Sequence, residues 1–582
     1  MLYLLDYGAG NIQSLANSLT KLGHAFEWVR EPADIGAASK LLFPGVGAFG
    51  SAMHALNEKG YAEPLRAYIA SGRPYMGICV GMQALLEGSD ESPTVRGLGV
   101  IPTRATRFCT QHGARRKAVP HMGWNSVDVA PADAALAGKY GLADDGHYYF
   151  VHSFYMPPDA GAVHDWVLGT TQYGDESFVS VVQRGNVFAT QFHPEKSGAA
   201  GLAVLRAWLA LGDEPAAPPR AWGAPCALPA YRLPTRRIVA CLDVRSNDLG
   251  DLVVTKGESY DVRERDAAAD VRNMGKPVEL AQRYYREGAD EVTFLNITSF
   301  RNCPLQDQPM LALVRLAAAT IFVPLTIGGG IRDSTDPDGT VHSALEVAHA
   351  YFRAGADKVS IGSEAVYAVE RLLQRMHDAG VPGWDPAQAP PAALRGDTGI
   401  EQISEMYGAQ AVVVSVDPHR VYLGDGDAVP EAHAASIVSG ADERAGRIGE
   451  PARWWYRCTV KGGREHRDVD VVQLARGVER LGAGELLVNS IDRDGSNRGF
   501  DTLLVDLVRA GVGIPIVASS GAGSADHFAT VFEARDATGG APIEAALAAG
   551  IFHRREVSIA EVKQRLGERG FVARGVLDTE DV

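Results

Sequence analysis

The chain has 582 residues, of which 46% are hydrophobic, so it is long enough for two or three domains with sizeable cores. Its formal net charge of −15 excludes a non-specific nucleic-acid binder, which needs a basic face. Six cysteines without paired spacing predict neither a disulfide framework nor a CxxC metal site. No run of eighteen apolar residues occurs and the first residues lack the marks of a leader peptide, so we expect a cytoplasmic protein without a membrane span.

Residues 1–211 are predicted to form an open α/β sheet, because short apolar runs such as LYLLDYG and LLFPGVG alternate with helical patterns. The run YMGICVGMQ places Cys79 in a G-x-C-x-G turn between a strand and a helix. This geometry presents a nucleophile at the top of a sheet. A cysteine between glycines is, however, more often a small buried residue at a tight turn, and the motif alone leaves both interpretations open.

A base and a carboxylate for such a thiol stand near the end of the same domain. His193 and Glu195 follow a strand-like run as His-Pro-Glu, so their side chains can lie side by side. A cysteine nucleophile needs a base, and the base needs an orienting carboxylate. A surface turn is the alternative for this pair taken by itself. Pro44–Gly50 is a glycine-rich loop, which indicates either an anion-facing row of amides or an ordinary turn.

The combination of GICVGMQ with QFHPEKSG resembles the class I, triad-type glutamine amidotransferases. The resemblance implies that Cys79 attacks the glutamine carboxamide, that His193 transfers the proton and that Glu195 orients His193. It also implies an oxyanion site and a glutamine site, formed by Val46, Gly47, Val80, Gln83, Glu91, His152, Ser153 and Phe154. Within this superfamily, PGVGAFG and HMGWN are similar to the glutaminase subunit of imidazole glycerol-phosphate synthase.

The remaining chain divides into a linker and an internal repeat. Residues 212–235 are rich in proline and alanine and indicate a tether between domains. In residues 236–582, the runs IVACLDV, GADEVTFLNIT, FVPLTIGGGI and GADKVSIGSEAV have counterparts in AVVVSVD, GAGELLVNSID, IPIVASSGAG and AALAAGIFH. Eight strand–helix units in two related halves predict a (βα)8 barrel built by duplication.

The repeat also predicts a site, because barrel chemistry lies at the C-terminal ends of the strands. The first strand of each half ends in an aspartate, Asp243 or Asp417, and paired carboxylates suit acid–base work on a ring. The third and fourth strands of each half end in small residues that predict phosphate cradles: Gly329, Gly330, Gly362 and Ser363, then Ser519, Gly521, Ala549 and Gly550. Two such cradles indicate a ligand with a phosphate at each end. For any one of these residues taken alone, the alternative to a functional role is a structural one, as a helix cap, an ion-pair partner or part of a tight turn.

The motifs ACLDV, LTIGGGI, KGGRE, NSIDRDGSNRG and ASSGAG resemble the cyclase of imidazole glycerol-phosphate synthase, and the domain order resembles the fused eukaryotic enzyme of histidine biosynthesis. The resemblance implies that glutamine-derived ammonia attacks phosphoribulosyl-formimino-aminoimidazole carboxamide ribotide, which gives imidazole glycerol phosphate and aminoimidazole carboxamide ribotide. It makes Asp243 and Asp417 the acid–base pair. Further substrate contacts are implied for Lys256, Asn489, Asp494 and Gly495. No cofactor and no metal are implied. Asn296 departs from the LDIT pattern of the bacterial cyclases.

Four charged residues near strand starts match an ammonia gate of this family: Arg237, Glu291, Lys358 and Glu485. Stabilising surface pairs are the alternative. Two other functions stay open, namely a glutaminase paired with a barrel that makes pyridoxal phosphate and an inactive amidotransferase that serves as a scaffold. The paired aspartates disfavour the first, since that chemistry uses Schiff-base lysines, and the intact Cys79 disfavours the second. Segments 381–400 and 421–457 are predicted to be loops, with no role assigned.

Overall fold

A computed structural model describes residues 1–8, 10–45, 47–112, 115–158, 161–212, 234–246, 252–254, 276–297, 304–424, 426–427, 430–440, 452–533 and 541–575. Val46, Lys256 and most of the predicted linker lie outside the described residues, so the expectations for them remain predictions. Within the described ranges, none of the helices combines the length and the apolar character needed to cross a lipid bilayer.

A seven-stranded sheet forms the centre of the N-terminal domain. Its order is Val167–Tyr173, Glu176–Arg184, Val187–Thr190, Tyr75–Ile78, Lys40–Phe43, Leu2–Leu5 and Glu27–Val29. The last five strands run parallel, and the first three are joined as antiparallel pairs. Tyr75–Ile78 is buried along its whole length, as expected for a central parallel strand that reads as a continuous apolar run.

Smaller sheets and helices surround this centre. The further strands are Leu86–Ser89, Ser92–Arg96, Ile101–Arg107, Gln111–His112, Arg115–Arg116, His121–Ser126, His147–His152 and Phe154–Tyr155. The α-helices are Gln13–Lys21, Pro32–Ala37, Phe49–Glu58, Ala62–Ala70, Val80–Gln83, Ala134–Lys139 and Gly198–Ala210.

The C-terminal domain is a closed parallel barrel, as the repeat predicts. Its eight strands, in chain order, are Arg237–Ser246, Glu291–Asn296, Leu325–Gly328, Lys358–Ile361, Val412–Val416, Glu485–Asn489, Ile516–Ser519 and Ala545–Ala548. The first and eighth strands pair in parallel and close the barrel. The first strand also continues past its barrel partners and pairs antiparallel with Leu252–Val254. The expected fold class, an open α/β sheet followed by a (βα)8 barrel, is confirmed.

The barrel domain also contains α-helices, and capping side chains mark where some of them begin. They are Pro277–Arg286, Pro309–Ala318, Ala344–Ala354, Ser363–Asp378, Gly399–Tyr407, Val471–Leu481, Thr502–Gly511, Ala525–Glu533, Gly550–His553 and Ile559–Glu568. Ser343 and Glu346 form one capping box, in which each side chain satisfies a backbone amide of the first turn. The same helix ends at Gly355 in the left-handed conformation, which glycine adopts without steric cost.

The loop expectation for 421–457 is wrong for much of its described part. Pro418–Leu423, Ile437–Gly440, Ala452–Val460 and Glu465–Asp470 form a four-stranded antiparallel sheet after the fifth barrel strand. The Trp454 and Tyr456 side chains are fully buried, so this sheet adds to the core of the barrel domain. The other segment, 381–400, contains the short 3-10 turns Pro386–Gln388 and Pro391–Ala393 and accepts hydrogen bonds from neighbouring helices.

The two domains meet at the N-terminal end of the barrel strands. Met122 and Trp124, from the strand His121–Ser126, belong to the same apolar cluster as the barrel core. The indole nitrogen of Trp124 donates to the carbonyl oxygen of Asp290 at 3.1 Å. Asp357 accepts a hydrogen bond from Asn11 at 2.7 Å and pairs with Lys196 at 2.7 Å. Apolar packing and paired polar groups therefore both hold the glutaminase-like domain on the barrel bottom.

Glu544 at this interface gives the first testable prediction. Its side chain is buried, one of its oxygens has no hydrogen-bond partner, and burial, with a small contribution from Glu485, raises its pKa from 4.5 to about 7. Between about pH 4.5 and about pH 7, the folded state therefore keeps a proton that the unfolded state has lost. As the pH rises through this range, Glu544 lowers the free energy of unfolding by about 3 kcal/mol in total.

Glu544→Gln mimics the protonated form and is expected to melt above the parent protein at pH 8, with the difference shrinking towards pH 5. Thermal melting of both proteins across this pH range measures the effect. Glu279→Gln removes an exposed carboxylate and serves as the matched control. Melting curves of parent and Glu544→Gln that stay parallel over the whole range would contradict the prediction.

Candidate active sites

Cys79 lies at a strained elbow between the strand Tyr75–Ile78 and the helix Val80–Gln83. Its backbone has φ 49° and ψ −103°, a conformation that a non-glycine residue adopts only when its surroundings enforce it. A Cβ atom at Gly77 would lie 2.5 Å from the carbonyl oxygen of Gly81, so no larger residue fits there. The flanking glycines therefore permit the sharp turn that the sequence motif predicts.

A histidine and a glutamate complete the arrangement around Cys79. Glu195 Oε1 lies 2.8 Å from His193 Nδ1, both side chains are buried, and His193 is also hydrogen-bonded to the Cys79 side chain. Burial alone would lower the pKa of His193, but the charges of Glu195 and Cys79 outweigh it and raise the pKa to about 10. The three side chains thus have the arrangement of a nucleophile, a base and an orienting carboxylate.

The glycine-rich loop after the strand Lys40–Phe43 passes directly against the elbow. A Cβ atom at Gly45 would lie 1.6 Å from the carbonyl oxygen of Ile78 and 2.5 Å from the backbone nitrogen of Val80. Gly47 has φ 130°, which also favours glycine. The loop that carries Gly47 and the amide of Val80 are therefore neighbours, as an oxyanion site requires.

Two of the residues expected to hold glutamine, Gln83 and His152, contact the backbone carbonyl of a third, Phe154. The oxygen of Phe154 accepts a hydrogen bond from Gln83 Nε2 at 2.9 Å and lies 2.8 Å from His152 Nδ1. Burial lowers the pKa of His152 to about 3, so its ring is neutral and Nδ1 donates. Glu91 Oε2 accepts a hydrogen bond at 2.7 Å from the backbone nitrogen of Phe49, the first residue of the helix Phe49–Glu58. Burial raises the pKa of Glu91. The Ser153 carbonyl accepts a hydrogen bond from Phe108.

The two aspartates of the barrel lie at the opposite end from the glutaminase-like domain. Asp243 lies in the first strand beside Leu295 of the second, and Asp417 follows the fifth strand. Burial, with the nearby Asp494 carboxylate, raises the pKa of Asp243 to about 7. Asn489 Nδ2 donates to Asp417 Oδ1 at 2.8 Å. A carboxyl group that titrates near neutrality is suited to proton transfer.

The predicted phosphate cradle of the first half contains two glycines in the left-handed region. Gly329 and Gly330 have φ 87° and 83°, and a Cβ atom at Gly329 would lie 2.2 Å from the carbonyl oxygen of Asn296. Gly362 and Ser363 open the helix Ser363–Asp378. The backbone carbonyl of Asn296 therefore leaves no room for a side chain at position 329, and this restriction does not depend on the side chain of Asn296.

The second half repeats this pattern. Ser519 ends the seventh strand, Ser520 has φ 72°, and Gly521 has φ 91° with no room for a Cβ atom against the carbonyl oxygen of Gly499. Ala549 and Gly550 follow the eighth strand at the start of a short helix. Gly495, in the loop after the sixth strand, has φ 64°. The strained conformation of Ser520 gives no signal in the sequence, because serine occurs in many turns.

The four charged residues at the barrel bottom form one buried ring. Arg237 pairs with Glu291 at 2.9 Å and with Glu485, and Lys358 pairs with Glu291 at 2.7 Å and with Glu485 at 2.6 Å. All four are nearly inaccessible to solvent. Lys358 Nζ also lies 3.6 Å from the sulfur of Met122 in the other domain. The ring therefore separates the barrel interior from the domain interface.

Two family models and several relatives match this chain. Residues 3–209 match the family model described as glutamine amidotransferase class-I, and residues 237–381 and 391–558 match the model described as histidine biosynthesis protein. A protein of Emericella nidulans named imidazole glycerol phosphate synthase hisHF is 50% identical over 98% of both chains. Its namesake in Schizosaccharomyces pombe is 51% identical over 97% of this chain and 98% of the relative. An Arabidopsis thaliana relative, named as the chloroplastic form, is 50% identical over 97% of this chain and 88% of its own.

The chain belongs to the fused imidazole glycerol phosphate synthase hisHF family. It is a bifunctional enzyme of histidine biosynthesis that carries a glutamine amidotransferase domain and a barrel domain in one chain. The match to the histidine-biosynthesis model stops at residue 381 and resumes at residue 391, within the segment 381–400 that was predicted to be a loop.

One residue at the elbow of this imidazole glycerol phosphate synthase family member, Gln191, was not predicted from the sequence. Gln191 Nε2 lies 3.3 Å from the sulfur of Cys79, and Gln191 Oε1 accepts a hydrogen bond from Gln83. Gln191 stands in the same QFHPEKSG motif as His193. Its contact was missed because Gln191 directly follows the strand Val187–Thr190, and its position beside Cys79 depends on the pairing of that strand with Tyr75–Ile78, which the motif does not show.

Proposed function

We propose that the chain hydrolyses glutamine at Cys79 and passes the ammonia through the barrel to the two aspartates. The observation that carries this proposal is the placement of the triad domain on the barrel bottom, with a buried charged ring between it and a pair of aspartates at the far end. Free ammonia is mostly protonated in water and then no longer nucleophilic. An enclosed route between the two reactions avoids that loss.

At the first site, the Cys79 thiolate attacks the carboxamide carbon of glutamine. The amides of Val80 and of the loop around Gly47 stabilise the oxyanion, and His193 donates the proton with which ammonia leaves. Water, deprotonated by His193, then hydrolyses the thioester and releases glutamate. Glu195 holds His193 in the required orientation through its 2.8 Å contact.

At the second site, ammonia attacks phosphoribulosyl-formimino-aminoimidazole carboxamide ribotide, and lysis with ring closure yields imidazole glycerol phosphate and aminoimidazole carboxamide ribotide. Asp243 and Asp417 transfer the protons that this addition and closure require. The two glycine-rich cradles bind the two phosphates through backbone amides, and Asn489, Asp494, Gly495 and Lys256 complete the substrate site. We include the cytoplasm in this proposal, because the described cysteines are free thiols, which suits a reducing compartment.

Two experiments test this assignment. The purified chain, supplied with glutamine and the ribotide, is expected to form glutamate and imidazole glycerol phosphate, measured by mass spectrometry. An electrophilic glutamine analogue is expected to label Cys79. No labelling would favour an inactive scaffold. Labelling without imidazole product, together with pyridoxal phosphate formed from other precursors, would favour the alternative barrel chemistry.

The ring is proposed as the entrance for ammonia, which gives a second prediction. Lys358→Ala opens the ring and is expected to make glutamate accumulate in excess of imidazole product, because ammonia escapes before reaching the aspartates. Measuring both products in the same reaction gives the ratio. The substitution also removes a positive charge that pairs with the buried carboxylates of Glu291 and Glu485. We expect this loss to lower the free energy of unfolding by about 3–5 kcal/mol.

Lys563→Ala is the matched control for this experiment. Lys563 is another buried lysine at the same end of the barrel, and it pairs with Asp290 at 2.7 Å rather than with the ring. This variant is expected to lose stability while its two products stay equal in amount. Equal amounts of the two products from Lys358→Ala would rule against an ammonia entrance at this ring.

A further inference from the structure

Gln191 is buried at the base of the elbow and contacts two groups of the glutaminase site. Its backbone nitrogen donates to the carbonyl oxygen of Ser180 at 2.8 Å, and its side chain has no exposure to solvent. The side-chain Nε2 donates to Cys79 Sγ at 3.3 Å, and Oε1 accepts a hydrogen bond from Gln83 Nε2 at 3.1 Å. The residue therefore connects the sulfur to the neighbouring Gln83.

The orientation of the Gln191 amide follows from its neighbours. The carbonyl oxygen of Phe154 can only accept hydrogen bonds, and it accepts one from Gln83 at 2.9 Å. The Gln83 amide thus presents its NH2 group to both Phe154 and Gln191. Because Gln191 receives that hydrogen bond on its oxygen, its own NH2 group faces Cys79.

The sulfur of Cys79 is therefore hydrogen-bonded on two sides by groups of different character. His193 is titratable and carries the proton that the reaction moves, whereas the amide of Gln191 is neutral and has no proton to give up. An N–H donor aimed at an anion favours the charged form. Gln191 thus stabilises the thiolate, and it limits the positions that the sulfur can take at the elbow.

We propose that Gln191 is a positioning residue of the glutaminase, which holds the Cys79 thiolate and links it to Gln83. This inference rests on the proposed glutaminase function. In this role, Gln191 does not contact glutamine and acts only through Cys79. The connection also gives Gln83 a second task, because a movement of its amide when glutamine binds is passed to the sulfur through two hydrogen bonds in series, from Gln83 to Gln191 and from Gln191 to Cys79.

The test compares Gln191→Met with the parent in the full-length chain. Methionine keeps the size and apolar stem of glutamine but offers no donor. Alkylation of Cys79 by iodoacetamide is followed across pH by peptide mass spectrometry, which separates Cys79 from the exposed Cys109. We expect the midpoint of the pH profile to rise by about one pH unit, and the glutaminase kcat/KM at neutral pH to fall about tenfold.

Gln191→Glu sharpens the comparison, because a carboxylate of the same shape repels the thiolate, and its midpoint is expected to rise further than that of Gln191→Met. Gln183→Met is the matched control, since Gln183 is a buried glutamine of the same sheet whose amide donates to the Gly185 carbonyl at 3.0 Å. Its profile should coincide with that of the parent. Circular dichroism and thermal melting report whether each variant is folded.

The outcomes separate this inference from the function on which it rests. If the glutamine analogue labels Cys79 in the parent but Gln191→Met and the parent share one alkylation profile, the positioning role is wrong and Gln191 only fills space. If the analogue leaves Cys79 of the parent unlabelled, the proposed glutaminase itself fails.

Discussion

Cys79→Ala is expected to lose glutamine-dependent turnover by a factor on the order of 10⁴ or more, while turnover with ammonium salts stays at the parent level. The reason is that, in the proposed reaction, the thiol forms the covalent bond to glutamine, and the methyl group of alanine cannot form it. The barrel receives ammonia from solution in the second assay and does not need the elbow. Steady-state rates with each nitrogen source, at saturating ribotide, measure the effect.

Cys109→Ala is the control for Cys79→Ala. Cys109 is an exposed thiol of the same domain, away from the elbow, and its removal is expected to change neither rate. A folded Cys79→Ala protein that also fails with ammonium salts would show that the two domains do not divide the reaction as proposed. Circular dichroism and thermal melting establish whether the variant is folded.

Asp243→Asn is expected to lose turnover with both nitrogen sources, by about 10²- to 10⁴-fold, because the ring-forming step lacks its proton-transfer group. The amide keeps the shape of the carboxyl group but cannot exchange a proton. Glutamate release by the other domain should persist, since Cys79 and His193 are untouched. Assays of imidazole product and of glutamate on the same samples separate the two effects.

The pKa of Asp243 adds a signature that a merely structural role would not produce. One limb of the pH profile of ammonium-dependent turnover is expected near pH 7, because burial and Asp494 raise the pKa of Asp243 to about that value. Asp494→Asn removes a like charge and should move this limb to lower pH. Asp526→Asn, which changes an exposed aspartate that pairs with Arg565, should leave the profile unchanged. A limb that stays in place in Asp494→Asn would contradict the assignment of the limb to Asp243.

The fold was readable from the sequence where local patterns repeat. Eight apolar runs with matching ends predicted the barrel, and all eight are strands in the structure. The G-x-C-x-G turn predicted the elbow, because only glycine fits positions such as Gly77. His193 and Glu195 were predicted to be neighbours, because two residues on one short turn cannot be far apart.

What the sequence did not show depends on contacts between distant segments. The link from Gln191 to Cys79 spans 112 positions along the chain and requires one particular strand register. The sequence does not predict the sheet that includes Ile437–Gly440 and Ala452–Val460, because its strands lie between turn-rich stretches and Ile437–Gly440 is short. The four ring residues were predicted near strand starts, but their burial and the contact of Lys358 with Met122 of the other domain do not follow from the sequence.

The covalent connection between the two domains bears on how the interface must work. In two separate subunits, contacts such as Asn11 to Asp357 would have to hold the partners together at cellular concentration. Within one chain, the linker keeps the effective concentration of one domain near the other in about the millimolar range. The interface is then free to be weak enough to reorganise during each catalytic cycle. Dilution of this enzyme should consequently leave the ratio of glutamate to imidazole product unchanged.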